Sequence, residues 1–167
     1  MLRNWVGPIV LAVILALFIR YFWLTPLAIN GNSMLPTIHS GDEVLLRHYG
    51  KISRFDVVTF KTQSGETYIK RVIGVPGDEI TYKDNTLYVD QKPVPEEYSK
   101  TKITGKTSDL SMEELFGVRR IPKNKYFVLG DNRQISRDSR TLGLIDGSQI
   151  TGRAWIVYWP LWHFKVL

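Results

Sequence analysis

The chain has 167 residues with a net charge of +6, 23% charged and 12% aromatic residues, and no cysteine. These figures fit one packed domain with a sizeable core, exclude a disordered chain, and exclude disulfides and thiolate metal sites. Lys and Arg are spread from Arg3 to Lys165 without a dense block, so the positive balance suits proximity to an anionic membrane surface and does not call for nucleic acid as a partner.

In chain order, a short tail over residues 1–4 precedes a run from Trp5 to Leu24 that is apolar except for Arg20. Pro26 is expected to end a helix near Thr25, because the residue before a proline is pushed out of the helical region. The resulting segment, 5–25, is long enough to cross a hydrocarbon core of roughly 30 Å at about 1.5 Å per residue. Arg20 lies close enough to its end to snorkel, and Tyr21, Phe22 and Trp23 read as an interfacial belt. The run is longer than the core of a cleaved leader, and TPLAIN offers no small-x-small cleavage site, so an uncleaved anchor is expected. Arg3 and the α-amine on one side and Arg20 on the other leave the charge rule for orientation nearly balanced.

Just beyond the anchor comes NGNSMLPTI, residues 30–38. Gly31 opens backbone conformations closed to other residues and Pro36 fixes φ, which sets Ser33 on a constrained turn. A serine so placed is either an ordinary turn residue or an exposed nucleophile. Eight residues separate it from Thr25, at most about 26 to 29 Å of extended chain, so it lies close to the membrane.

Short β-prone runs follow at Glu43–Leu46, Asp56–Phe60, Thr67–Ile73, Glu79–Tyr82 and Leu87–Asp90, separated by turn signals such as QSGE, VPGD and KDN. They predict an antiparallel β domain. Alternation along Tyr68–Ile73 puts Lys70 on one strand face with Tyr68 and Val72, and Arg71 on the other with Ile69 and Ile73. In an isolated strand both cations would read as solvent charges.

From about 82 to 121 the chain reads as an insertion that starts with a hairpin and continues as a polar, proline-containing segment. A short helix is expected near Leu110–Phe116, with Ser111 and Glu114 as a capping box and Gly117 as its stop. A buried strand, Tyr126–Leu129, then leads into GDNRQISRDSR, which taken alone is a charged loop. ITGRAWIVYWPLWHF closes the chain with one more strand and an aromatic cluster. Trp155 reads as core, while Trp159 and Trp162 read as core or as a membrane-interface contact.

Three segments in order, GNSMLPT (31–37), YIKRVIGVPGDEI (68–80) and LGDNRQISRDSRTLGLI (129–145), resemble the signature boxes of the bacterial type I signal peptidases. These are membrane-anchored serine proteases that use a Ser/Lys dyad. The resemblance runs from the apolar N-terminus to about Trp159. It implies a mainly β, antiparallel catalytic core over 26–81 and 122–167, with one N-terminal transmembrane helix and a β-rich inserted subdomain at 82–121.

For the site, the resemblance implies Ser33 as nucleophile, Lys70 as general base and Ser136 as the hydroxyl that orients the lysine. Arg71, Asp131, Asp138 and Arg140 would form a supporting ion-pair network. Ser33 N–H is the first oxyanion donor. Gly31 stands where some relatives carry a second, hydroxyl donor, so Asn32 or another N–H is a candidate for that role, and Met34 either lines the groove or packs beneath it. No metal or other cofactor is implied. The partners implied are secreted preproteins cut after small-x-small motifs, membrane lipid and the nearby export machinery. The implied location is the cell membrane, single-pass, with a cytoplasmic N-terminus and an extracytoplasmic catalytic domain.

Three alternatives remain open from sequence. His48 could serve Ser33 in a triad, although RHYGK reads as a polar turn. A self-cleaving repressor-type Ser/Lys protease shares the dyad but would need a DNA-binding segment or a cleavable linker. A tethered β domain that binds peptides without cutting them would make Ser33 and Lys70 incidental.

Overall fold

The computed structural model describes residues 3–22, 24–48, 50–96 and 104–167, with side chains of the first helix described over 5–14. Helix α1 spans Arg3–Phe22. Strands β1 (Leu24–Ala28), β2 (Glu43–Arg47), β3 (Val57–Lys61) and β4 (Thr67–Gly74) follow, then β5 (Ile80–Lys83), β6 (Thr86–Val89), β7 (Lys92–Pro93) and β8 (Leu110–Ser111). Helix α2 (Met112–Phe116), β9 (Lys125–Leu129), α3 (Ser139–Leu142), β10 (Ile145–Asp146), β11 (Ile150–Trp159) and β12 (Lys165–Val166) complete the chain.

Two sheets result. The larger runs β1-β2-β11-β3-β4-β9-β10, with β12 also on β11, and the smaller runs β7-β6-β5-β8. Every pairing between these strands is antiparallel. The smaller sheet is the insertion, and it begins at Ile80 rather than at 82. Its hairpin turns at Asp84 and Asn85, both at positive φ, as a two-residue turn matched to strand twist requires. It has no separate core: Ile80, Tyr82, Leu87 and Leu110 pack in one cluster with Ile73 of β4 and Phe127 and Leu129 of β9. The insertion therefore braces the strands that carry the site.

Two boundaries differ from the sequence reading. The helix stops at Phe22 and the chain is extended from Leu24, because Leu24–Ala28 pairs residue for residue with β2. Pro26 thus sits within a strand, tolerated because β1 is at the sheet edge. The cap of α2 follows the expected chemistry, since Ser111 accepts from Glu114 N–H and Gly117 adopts the left-handed conformation at φ 66°.

The described apolar side chains of α1, among them Trp5, Val6, Ile9, Val10 and Leu11, are exposed. Among the described residues no helix is long and apolar enough to cross a membrane. Arg20 and the expected belt of Tyr21, Phe22 and Trp23 lie outside the described side chains.

Candidate active site

Strand β4 is covered on both faces, so residues 69–74 are all buried and the two adjacent cations are too. Lys70 is 2% and Arg71 3% exposed. A strand carrying two such charges is stable only if each finds partners, and they find different ones.

Lys70 Nζ donates to Ser33 Oγ at 2.7 Å and to the Ile69 carbonyl at 2.8 Å. The Tyr68 ring lies 5.3 Å from the same nitrogen. Burial pushes the Lys70 ammonium down to about 8, against the opposing pull of the Asp138 and Asp131 carboxylates. Ser33 is presented by a turn in which Gly31 has φ 109°, a value that favours glycine, while Ile38 N–H closes onto the Met34 carbonyl at 2.9 Å.

Arg71 turns to Asp131, donating Nε to Oδ1 at 2.8 Å and Nη2 to Oδ2 at 2.6 Å, with Nη1 on the Phe55 carbonyl. A second fork joins Arg140 to the fully buried Asp138 through Nε and Nη2, both at 2.8 Å. Asp138 also accepts from Gly130 N–H and caps α3. The charged loop is therefore held rigid by two bidentate ion pairs.

Arg133 is a residue that sequence reasoning passed over. It is 3% exposed and ties the loop to the insertion, donating to Glu96 at 2.6 Å, to Thr107 and to the Tyr82 hydroxyl, and to the Gly130 carbonyl at 3.0 Å. Its NR pair carries no distinctive signal, because its partners lie on other segments.

One expectation is corrected and two alternatives left open by the sequence are decided. Ser136 does not bond to Lys70: its Oγ is buried and has no hydrogen-bond partner among the described residues, while Lys70 is occupied by Ser33 and Ile69. Met34 is 1% exposed and packs with Ile29, Ile38 and Val44 in the core instead of lining the cleft. His48 is engaged elsewhere, with Nε2 against Thr25 Oγ1 and Nδ1 against the Thr151 carbonyl, each at 2.8 Å.

A cleft of about 490 Å³ runs over Ser33 and Lys70. Leu27, Ile29 and Asn32 line it from β1 and its continuation, Tyr68 from β4, and Ile135 and Arg137 from the charged loop. A hydroxyl hydrogen-bonded to a buried amine beside an extended edge strand can carry out nucleophilic attack on a strand-like peptide.

A family model described as signal peptidase, peptidase S26, matches residues 2–159. Signal peptidase I of Bacillus licheniformis is 40% identical over 95% of this chain and 89% of that protein. Signal peptidase IB of Staphylococcus aureus is 38% identical over 98% of this chain and 93% of its own. The crystal structure of a signal peptidase I from Enterococcus faecalis V583 superposes with a TM-score of 0.55 at 34% identity, covering 62% of this chain and 97% of that one.

Proposed function

The chain belongs to the signal peptidase, peptidase S26, family, and on that premise we propose that it is a membrane-anchored serine endopeptidase removing signal peptides from secreted preproteins. Ser33 is the nucleophile and Lys70 the general base. The observation that carries this reading is the 2.7 Å contact between Lys70 Nζ and Ser33 Oγ, made by a buried lysine whose pKa is lowered to about 8. Roughly a tenth of such a lysine is neutral at pH 7, against almost none at the reference value near 10.4.

In the reactive state the neutral Nζ accepts the Oγ proton as Ser33 attacks the scissile carbonyl. The tetrahedral oxyanion is met by Ser33 N–H, with Asn32 as the second candidate donor since Gly31 has no side chain. Lys70 then gives its proton to the departing amine, leaving an ester on Ser33. Water, deprotonated by the Lys70 amine, attacks that ester, and Lys70 returns the proton to Ser33 Oγ as the acid departs. A neutral amine has one lone pair and two N–H groups. With the lone pair toward Ser33, one of those N–H groups stays on the Ile69 carbonyl and holds the amine in place. Arg71, Asp131, Asp138 and Arg140 hold the loop and take no proton.

An extended preprotein segment added to β1 would present alternate side chains to the cleft, which fits a rule of small residues at the first and third positions before the bond. Helix α1 as anchor, a core from 24 to 79 and from 122 to 167, and an insertion from 80 to 121 form the proposed organisation. Exposed apolar side chains along α1 support the anchor. The catalytic domain would face the extracytoplasmic side, next to lipid and the export machinery.

The test is cleavage of a membrane-inserted preprotein by wild type, Ser33→Ala and Lys70→Ala, with product N-termini sequenced. Cutting after a small-x-small motif by wild type alone is the expected result. Near-normal activity in Lys70→Ala would remove the dyad.

A further inference from the structure

Away from the cleft, the loop after Ser33 and the C-terminal turn at 161–163 meet at three side chains. Asp42, 1% exposed, accepts from His39 N–H at 2.8 Å and from His163 Nδ1 at 2.7 Å. The two imidazoles stack, with centroids 4.5 Å apart and planes at 23°. His39 Nδ1 is 3.8 Å from Asp42 Oδ2, shielded from solvent and without a hydrogen-bond partner among the described residues. One ligand atom from each of His39, Asp42 and His163 lies within 4.8 Å of the others.

We propose that His39, Asp42 and His163 form a binding site for a single divalent transition cation of the zinc class. Zinc lies about 2.0–2.2 Å from imidazole nitrogen and carboxylate oxygen, and a tetrahedron of that size holds its donors roughly 3.4 Å apart. The spacing found needs only side-chain adjustment to reach it. His163 would shift to its Nε2–H tautomer and free Nδ1 for the metal. Two imidazoles and one carboxylate favour zinc, nickel, cobalt or copper over calcium or magnesium, which prefer oxygen ligands. Partial exposure of both histidine side chains, 41% and 32%, leaves room for water as fourth ligand.

The cation would clamp two segments 121 residues apart, counted from Asp42 to His163. One of them is fastened to the base of the cleft, since Ile29 N–H donates to the Asp42 carbonyl and Gly41 N–H to that of Ile29, both at 2.8 Å. The site is separate from the dyad and has a structural role, so it does not depend on the proposed reaction. The family resemblance implied no metal, and His39, Asp42 and His163 are brought together only by the fold.

The full, untagged chain in detergent, freed of metal with a chelator, is titrated with Zn²⁺ by calorimetry. One equivalent is expected to bind. Affinity should fall tenfold or more in His39→Gln and in His163→Gln and stay unchanged in His48→Gln. Zn²⁺ should also raise the thermal midpoint of wild type and His48→Gln only. Absence of stoichiometric binding, or binding that survives both His39→Gln and His163→Gln, overturns the site. Co²⁺ added to wild type gives a check that needs no variant: the intense visible band of four-coordinate cobalt supports the proposal, and a weak six-coordinate spectrum alone refutes it.

Discussion

The amide of Asn132 donates to the carbonyl of Ser33 at 3.0 Å, so the charged loop grips the turn that carries Ser33 by its main chain. Thr104 N–H on the Asp131 carbonyl and Arg133 N–H on that of Thr104 pass the same grip to the insertion. Lys70 reaches Ser33 from the sheet, and Asn132 reaches it from the loop. The position of Oγ is thus fixed from two sides by elements that are distant in sequence.

Gly130 stands at the tightest point of this arrangement. A Cβ there would strike the Ser136 side chain and the Ser33 carbonyl, well inside van der Waals contact. Gly130→Ala is expected to push the turn away from Lys70 and lower kcat by about a hundredfold, the order associated with a misplacement near 1 Å. Because the chain keeps its core, the loss of folding stability should stay within about 1–3 kcal/mol. Steady-state kinetics beside urea denaturation checks both. Full activity in a folded variant would show that the close approach is not needed.

As the proposed base, Lys70 must be neutral to act, and burial pushes it down to about 8. Activity is therefore expected to rise with pH, tenfold per unit below about pH 8, and to level off above it. A profile of kcat/KM from pH 6 to 10 reads this limb. Its absence, or a limb that vanishes in His48→Gln, would assign the proton acceptor to another group.

Much of this was legible in the chain. The β runs from Glu43 to Asp90 fall on observed strands because turn chemistry such as Asp84-Asn85 is local. Ser33 and Lys70 do meet, and Arg71–Asp131 and Asp138–Arg140 do pair. What stayed hidden depends on tertiary packing. Alternation along β4 left one cation face open to solvent in principle, whereas coverage of both sheet faces buries Lys70 and Arg71 alike. Pro26 looked like a helix stop, but an edge strand takes it. Arg133 and the His39–Asp42–His163 group involve partners that no local spacing brings together.

The Arg71–Asp131 pair has both side chains at 3% exposure or less. Asp131→Asn keeps the shape and removes the anion facing a buried guanidinium, a change that typically costs about 3–5 kcal/mol. Urea unfolding of the variant should show a loss of that order. A loss under about 1 kcal/mol would mean that the remaining partners of Arg71, such as the Phe55 carbonyl, suffice.

Trp159 and Trp162 are 48% and 79% exposed, and Leu161 and Phe164 between and beside them are exposed as well. Aromatic side chains in such a patch suit a membrane interface. In proteoliposomes, brominated lipid is expected to quench wild-type fluorescence more than that of Trp159→Phe/Trp162→Phe. Trp5, Trp23 and Trp155 emit in both proteins, so a wild-type-minus-variant emission that the lipid leaves unquenched would place the patch in water.

Burying Lys70 should also cost stability, and the sign follows from linkage. Its pKa is lowered from 10.5 to about 8 on folding, so between those values the unfolded chain holds the proton more tightly. Stability then rises with pH through that window, and the penalty is complete below about 8. At about 1.36 kcal/mol per unit the penalty is a little over 3 kcal/mol. Lys70→Met removes it while nearly conserving volume, offset by about 1 kcal/mol for each hydrogen bond lost at Ser33 and Ile69. The net expectation is an inactive variant about 1 kcal/mol more stable than wild type at pH 7, with the advantage shrinking toward pH 10. Paired urea curves at the two pH values measure the difference directly. A variant less stable than wild type at pH 7 would show that Lys70 is not held at the expense of folding.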